Sequence, residues 1–140
     1  MRLAVIDDNE NFRNSLKERL SPREVDVFND SVEFSSADLQ AYDAIIIDYY
    51  LPHMNGLDLA KAIYGKTRAS IALTSVDSAR LSSRDVVEEK AIAAILYKDD
   101  FDGIVDWLTF IAVKHKIMNT LSEQESSFSN LFLVTNGTIS

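Results

Sequence analysis

The feature that most constrains this chain is the alternation of short apolar runs with longer amphipathic stretches. Ala44-Ile45-Ile46-Ile47 is uninterrupted, rich in β-branched residues and stopped by Asp48, as expected of a central strand covered on both faces. The same unit recurs. Leu3 to Ile6 is followed, after Asp7-Asp8-Asn9, by Phe12, Leu16 and Leu20 at helical spacing. Val25, Val27 and Phe28 precede an Asn29-Asp30-Ser31 cap and a short helix through Val32 and Phe34. After Pro52 to Gly56, Leu57, Leu59, Ala60 and Ile63 predict a helix, and Ser70 to Leu73 a strand ending at Thr74. A polar helix from about Ser78 to Lys90 then leads to a strand Ala93 to Tyr97 ending at Lys98, and Ile104, Leu108 and Ile111 mark a last helix. Strands alternating with helices over 140 residues predict one α/β domain: a five-stranded parallel sheet with helices on both faces.

Parallel strands joined by right-handed crossovers place all their carboxyl ends on one edge, where ligands bind. At those ends stand Asp7-Asp8, Asp48, Thr74-Ser75 and Lys98. Any one of them alone reads as an ordinary turn, helix cap or solvated charge; together they form a set. Three carboxylates converging on one pocket repel each other and call for a hard divalent cation, which suits oxygen ligands and phosphate oxygens. A carboxylate nucleophile attacking phosphorus also needs an ammonium, available from Lys98, and a hydroxyl donor, available from Thr74.

These residues resemble the receiver domains of response regulators. The stretch Asp48-Tyr49-Tyr50-Leu51-Pro52-His53-Met54-Asn55-Gly56 matches the D-x-x-(L/M)-P-x-M-(D/N)-G pattern of that family, and Asp7-Asp8, Leu73-Thr74-Ser75 and Lys98 supply the rest. The resemblance covers residues 1–118 and implies a flavodoxin-like (βα)5 fold with strand order 2-1-3-4-5. It implies that Asp48 accepts a phosphoryl group from a histidine kinase or histidine phosphotransfer protein. Mg²⁺, with Mn²⁺ as a substitute, would be held by Asp7, Asp8, Asp48 and the backbone carbonyl of Tyr50. Lys98 and Thr74 would contact the phosphoryl group. Such a chain is a self-catalysed phosphoacceptor switch rather than a turnover enzyme, and its output is altered affinity for a downstream partner, for an output domain beyond Ser140, or for a second copy through the last helix.

The pattern is also broken in places. Asp99 follows Lys98 where receivers carry proline, which predicts a trans bond and makes Asp99 and Asp100 competitors for the ammonium. Ile95 stands where the family has an aromatic switch residue, and Tyr97, on the same side of the strand, is the substitute the alternation offers. Tyr50 and Val76, two residues beyond Asp48 and Thr74, resemble positions that flank the approach of the hydrolytic water in receivers, where bulk implies slow dephosphorylation; the alternative is that both simply cap the sheet edge. These departures keep open a phosphorylation-independent interaction module. An aspartyl phosphohydrolase fits less well, because Tyr50 occupies the place of its acid/base carboxylate and the chain is too short for a substrate cap.

The rest of the sequence narrows the setting. A net charge of −8 argues against direct nucleic-acid binding. No cysteine is present, the first residues lack a signal-peptide pattern, and no apolar run approaches the roughly 20 residues of a membrane span. A cytoplasmic protein without membrane insertion is expected. His53, in a variable loop position, and His115, late in the last helix, carry no role in this reading. Trp107, Phe110, Val113 and Ile117 widen the apolar surface of the last helix. Residues 119–140 form a separate tail whose Phe128, Leu131, Phe132, Leu133 and Val134 need a cover, either as a helical extension or docked segment, or in a dimer.

Overall fold

In a computed structural model, which describes the backbone of residues 1–136 and side chains through residue 125, five parallel strands lie in the order β2-β1-β3-β4-β5. They are β1 (Arg2–Ile6), β2 (Glu24–Phe28), β3 (Ala44–Asp48), β4 (Ser70–Ser75) and β5 (Ala94–Tyr97). The helices are α1 (Glu10–Leu20), α2 (Ser31–Phe34), α3 (Gly56–Ile63), α4 (Ser78–Leu81), α5 (Arg84–Val87) and α6 (Phe101–Asn136). This is the doubly wound parallel sheet that the alternation of elements predicts, in the flavodoxin-like strand order that the resemblance implies.

The sheet is buried on both sides because its strands alternate between two apolar faces. Ala4, Ile6, Ile45, Ile47, Ile71 and Leu73 join one core with Phe34 of α2, Leu57, Leu59, Ala60 and Ile63 of α3, Leu81 of α4 and Val86 of α5. Period-two alternation turns Leu3, Val5, Ala44, Ile46 and Ala72 to the other face, and all five are buried. Phe12, Leu16 and Leu20 of α1 and Ile104 and Leu108 of α6 are buried outside the first cluster, and the rings of Phe12 and Phe101 lie 5.8 Å apart.

Local capping sets the helix starts. Asn9 accepts from the amide of Phe12 at 3.0 Å, Asn55 from Asp58 at 2.8 Å and Asp77 from Arg80 at 3.0 Å. The single polar helix expected from Ser78 to Lys90 is instead two short ones, α4 and α5, parted at Ser82-Ser83. The Ser82 hydroxyl donates back to the Ser78 carbonyl at 2.8 Å and that of Ser83 to Arg80 at 2.5 Å. Serine side chains that bond the preceding turn in this way compete with the helical ladder.

The chain divides into two compact units, Met1–Leu108 and Thr109–Ser140. The first contains the sheet. The second contains the rest of α6, which runs as a helix to Asn136; the burial of Phe128, Leu131, Phe132, Leu133 and Val134 lies outside the described side chains. Among the described residues, no helix is long and apolar enough to cross a membrane.

Candidate functional site

Sheet register brings the polar strand ends level. Ile6 pairs with Ile47, so Asp7 and Asp48 follow side by side, and Asp48 pairs with Thr74. Ser75 pairs with Tyr97, which puts Lys98 next along the same edge. Carboxylate oxygens of Asp7, Asp8 and Asp48 all lie within 4.8 Å of one another. Asp7 and Asp48 are buried, whereas Asp8 is exposed.

Each buried carboxylate has one oxygen fixed by backbone and one facing Lys98. The Asn9 amide donates to Asp7 Oδ1 at 2.8 Å and the Tyr50 amide to Asp48 Oδ1 at 3.3 Å. Lys98 Nζ lies 2.6 Å from Asp7 Oδ2 and 3.0 Å from Asp48 Oδ2. Its ammonium also sits 5.0 Å from the centre of the Phe12 ring, which walls the side chain in. Phe12 reads in the sequence only as one more apolar position of α1, so nothing there marks it as a neighbour of the site.

The departures in the last loop have a clear geometry. Among the described residues the only cis peptide is Ser21-Pro22, so Lys98-Asp99 is trans, and Lys98 nevertheless reaches both carboxylates. Asp99 and Asp100 do not take the ammonium: the Lys98 ion pairs are with Asp7 and Asp48, and Asp100 Oδ1 accepts from the Gly103 amide at 2.9 Å near the start of α6. Ile95 packs partly buried against the core, and Tyr97 is exposed. Tyr50 holds its ring at the edge by donating its hydroxyl to Asp77 Oδ2 at 2.7 Å, and Val76, next to Asp77 in sequence, is exposed. His53 stands apart at the loop tip, at φ 72° and 3.8 Å from Asp30, and His115 belongs to the second unit.

The electrostatics are those of a site short of positive charge. Three carboxylates and one ammonium sum to −2. Burial, and then repulsion from Asp7, push the Asp48 carboxyl up to about 6 against the pull of Lys98 and the Tyr50 amide. Burial works to lower Lys98, but hydrogen bonds and charge from Asp7 and Asp48 outweigh it and hold the ammonium above its ordinary value. The Thr74 hydroxyl is fully buried and has no hydrogen-bond partner, an uncommon state for a polar group unless a ligand atom is meant to meet it. An all-oxygen set of two buried carboxylates and one exposed, with a charge deficit of two and an orphan hydroxyl alongside, fits a hydrated Mg²⁺ ion next to a phosphoryl group.

A pH dependence follows from the Asp48 shift. Between an ordinary carboxyl value near 4 and about 6, the folded protein keeps a proton on Asp48 that the unfolded chain has released. Stability in Mg²⁺-free buffer is therefore expected to fall as pH rises through that window, by on the order of 3 kcal/mol in total. Asp48→Asn should abolish most of that slope in urea unfolding curves taken at a series of pH values. An unchanged slope would place the titrating group elsewhere.

No model of a known protein family matches the chain. The transcriptional regulatory protein FlgR of Helicobacter pylori is 28% identical over 99 residues, 64% of this chain but 26% of FlgR, so the chain spans about a quarter of that relative's length. The response regulator TrrA of Thermotoga maritima, solved in complex with Mg²⁺-BeF, is 29% identical, with a TM-score of 0.66 over 79% of this chain and 97% of TrrA. The BeF3-activated receiver domain of DrrB superposes with a TM-score of 0.69 at 20% identity, over 79% of this chain and 96% of its own. In strand order and in the residues of its sheet edge the chain is similar to these receiver domains of response regulators, and it has their fold.

Proposed function

We propose that the chain is a Mg²⁺-dependent phosphoacceptor switch in two-component signalling, with Asp48 as the phosphorylated residue. The observation that carries this reading is the meeting of a buried nucleophilic carboxylate, a second buried carboxylate, an ammonium bridging both and an orphan hydroxyl on one sheet edge. Mg²⁺, or Mn²⁺ in its place, would supply charge that screens phosphoryl oxygens and the carboxylate of Asp48 from each other. Asp7, Asp8 and Asp48, with the Tyr50 carbonyl, would hold it.

Asp48 attacks phosphorus as the bond to a donor histidine nitrogen breaks, giving an aspartyl phosphate. Lys98 leaves its resting position between the carboxylates to neutralise a phosphoryl oxygen, and Thr74 donates its free hydroxyl to another. The domain itself performs this chemistry once per phosphorylation, so it is a switch and not a turnover enzyme. Its partners are a histidine kinase or histidine phosphotransfer protein upstream and a protein partner or output domain downstream, in the cytoplasm. Ile95 in place of an aromatic means that the signal leaves the site through a different packing change, with Tyr97 on the same side of β5 as its vehicle.

Beryllofluoride, a stable stand-in for the phosphoryl group, tests the site without a cognate kinase. Bound fluorine resonances that require Mg²⁺ and vanish in Asp48→Asn are expected; no bound signal at saturating Mg²⁺ would contradict the proposal. A second reading, a receiver-like module that works unphosphorylated, is favoured by one observation, that Lys98 already pairs with both buried carboxylates. Under that reading Mg²⁺ and beryllofluoride both leave the spectrum unchanged.

A further inference from the structure

The exposed face of α6 has chemistry that the phosphoacceptor site does not use. Phe110, Val113, Ile117 and Leu121 are each at least half exposed. At 100° per residue they fall within an arc of about 80°, and their 3-4-4 spacing keeps the stripe nearly parallel to the helix axis. Such a face on a monomer leaves a continuous apolar strip in water. The helix is unbroken from Phe101 to Asn136, so residues 119–136 cannot fold back onto residues 110–118.

Charge along the stripe's borders selects the occupant. Lys114 and Lys116 precede Glu123 and Glu125, all four are exposed, and none has an ion pair among the described residues. Lys114 and Glu125 lie within about 20° of each other on one flank of the stripe, and Lys116 and Glu123 within about 20° on the other. Two parallel copies would set lysine beside lysine and glutamate beside glutamate. Two antiparallel copies do the reverse.

We propose that residues 114–125 of α6 pair with the same segment of a second copy, antiparallel, about a two-fold axis between Asn119 and Thr120. In that register Lys116 of one copy stands level with Glu123 of the other, and Lys114 with Glu125, on matching flanks. Met118 is level with Leu121, and Ile117 of each copy lies against Leu121 of the other. The two-fold axis repeats every contact, giving four ion pairs around a shared apolar seam. The inference stands on the helix alone and is independent of the chemistry at Asp48.

Sedimentation of the 140-residue chain tests it. A dimer is expected, and Lys114→Glu/Lys116→Glu should weaken it about tenfold or more by turning four attractions into repulsions, while adding Glu123→Lys/Glu125→Lys to the same chain should restore it. Orientation is read by disulfide formation, clean here because the chain has no cysteine of its own. A mixture of Ile117→Cys and Leu121→Cys chains should give the mixed disulfide in excess, since Ile117 residues of an antiparallel pair are about 7.5 Å apart along the axis alone. A monomer at all concentrations, a dimer indifferent to charge reversal, or preferential self-crosslinking of either cysteine variant would each overturn the proposal.

Discussion

Lys98→Met is expected to cost roughly 3–5 kcal/mol of folding stability in Mg²⁺-free buffer at neutral pH. The ammonium lies 2.6 Å from Asp7 and 3.0 Å from Asp48, both buried, and among the described residues no other side chain forms an ion pair with either. Methionine keeps the apolar stem against Phe12 and removes only the charge. Two carboxylates left facing each other can relieve their repulsion by sharing one proton, so the loss should shrink as pH falls. Mg²⁺ should restore stability more fully in the variant than in the parent, because the cation no longer competes with the lysine. Labelling of Asp48 by a small phosphodonor should nevertheless fall by roughly 100-fold, since a phosphoryl oxygen loses its neutralising partner. Urea unfolding with and without Mg²⁺ separates the two effects; equal Mg²⁺-free stabilities would mean that Lys98 does not hold the carboxylates together.

Gly56→Ala should be nearly as damaging, for a reason of geometry rather than charge. A Cβ at this position would sit 2.1 Å from the carbonyl oxygen of Asp48 and 2.8 Å from its carbon, both backbone atoms that cannot swing aside. The close approach exists because α3 begins directly under the end of β3: the Gly56 amide donates to the Tyr49 carbonyl at 2.8 Å, and Asn55 caps the same turn. Relieving the clash means moving either the helix start or the peptide that carries the nucleophile. A loss of about 2–4 kcal/mol is expected, together with slower phosphorylation of the protein that remains folded. A variant with parental stability and labelling rate would show that α3 can shift at no cost.

Much of this was legible in the sequence because strands buried on both faces need unbroken apolar runs and parallel strands deliver their ends to one edge. Ile45, Ile46 and Ile47 fix β3, and the polar residues that stop each run mark the site. What the sequence did not disclose depends on distances between elements. Adjacent Asp7 and Asp8 look alike, yet one is buried against Lys98 and the other exposed. The break at Ser82-Ser83 arises from hydroxyl contacts with the preceding turn that periodicity does not register. The need for glycine at position 56 appears only once Asp48 is placed above it. Asp99 and Asp100 looked like rivals for the ammonium, and the geometry gives Asp100 the Gly103 amide instead.

The most direct test of the central claim is the intact mass of the 140-residue chain after incubation with Mg²⁺ and acetyl phosphate or phosphoramidate, beside Asp48→Ala. One phosphoryl adduct is expected on the parent, dependent on Mg²⁺ and missing from the variant. No adduct on the parent, or an adduct that persists without Asp48, would contradict the assignment of Asp48 as the phosphoacceptor.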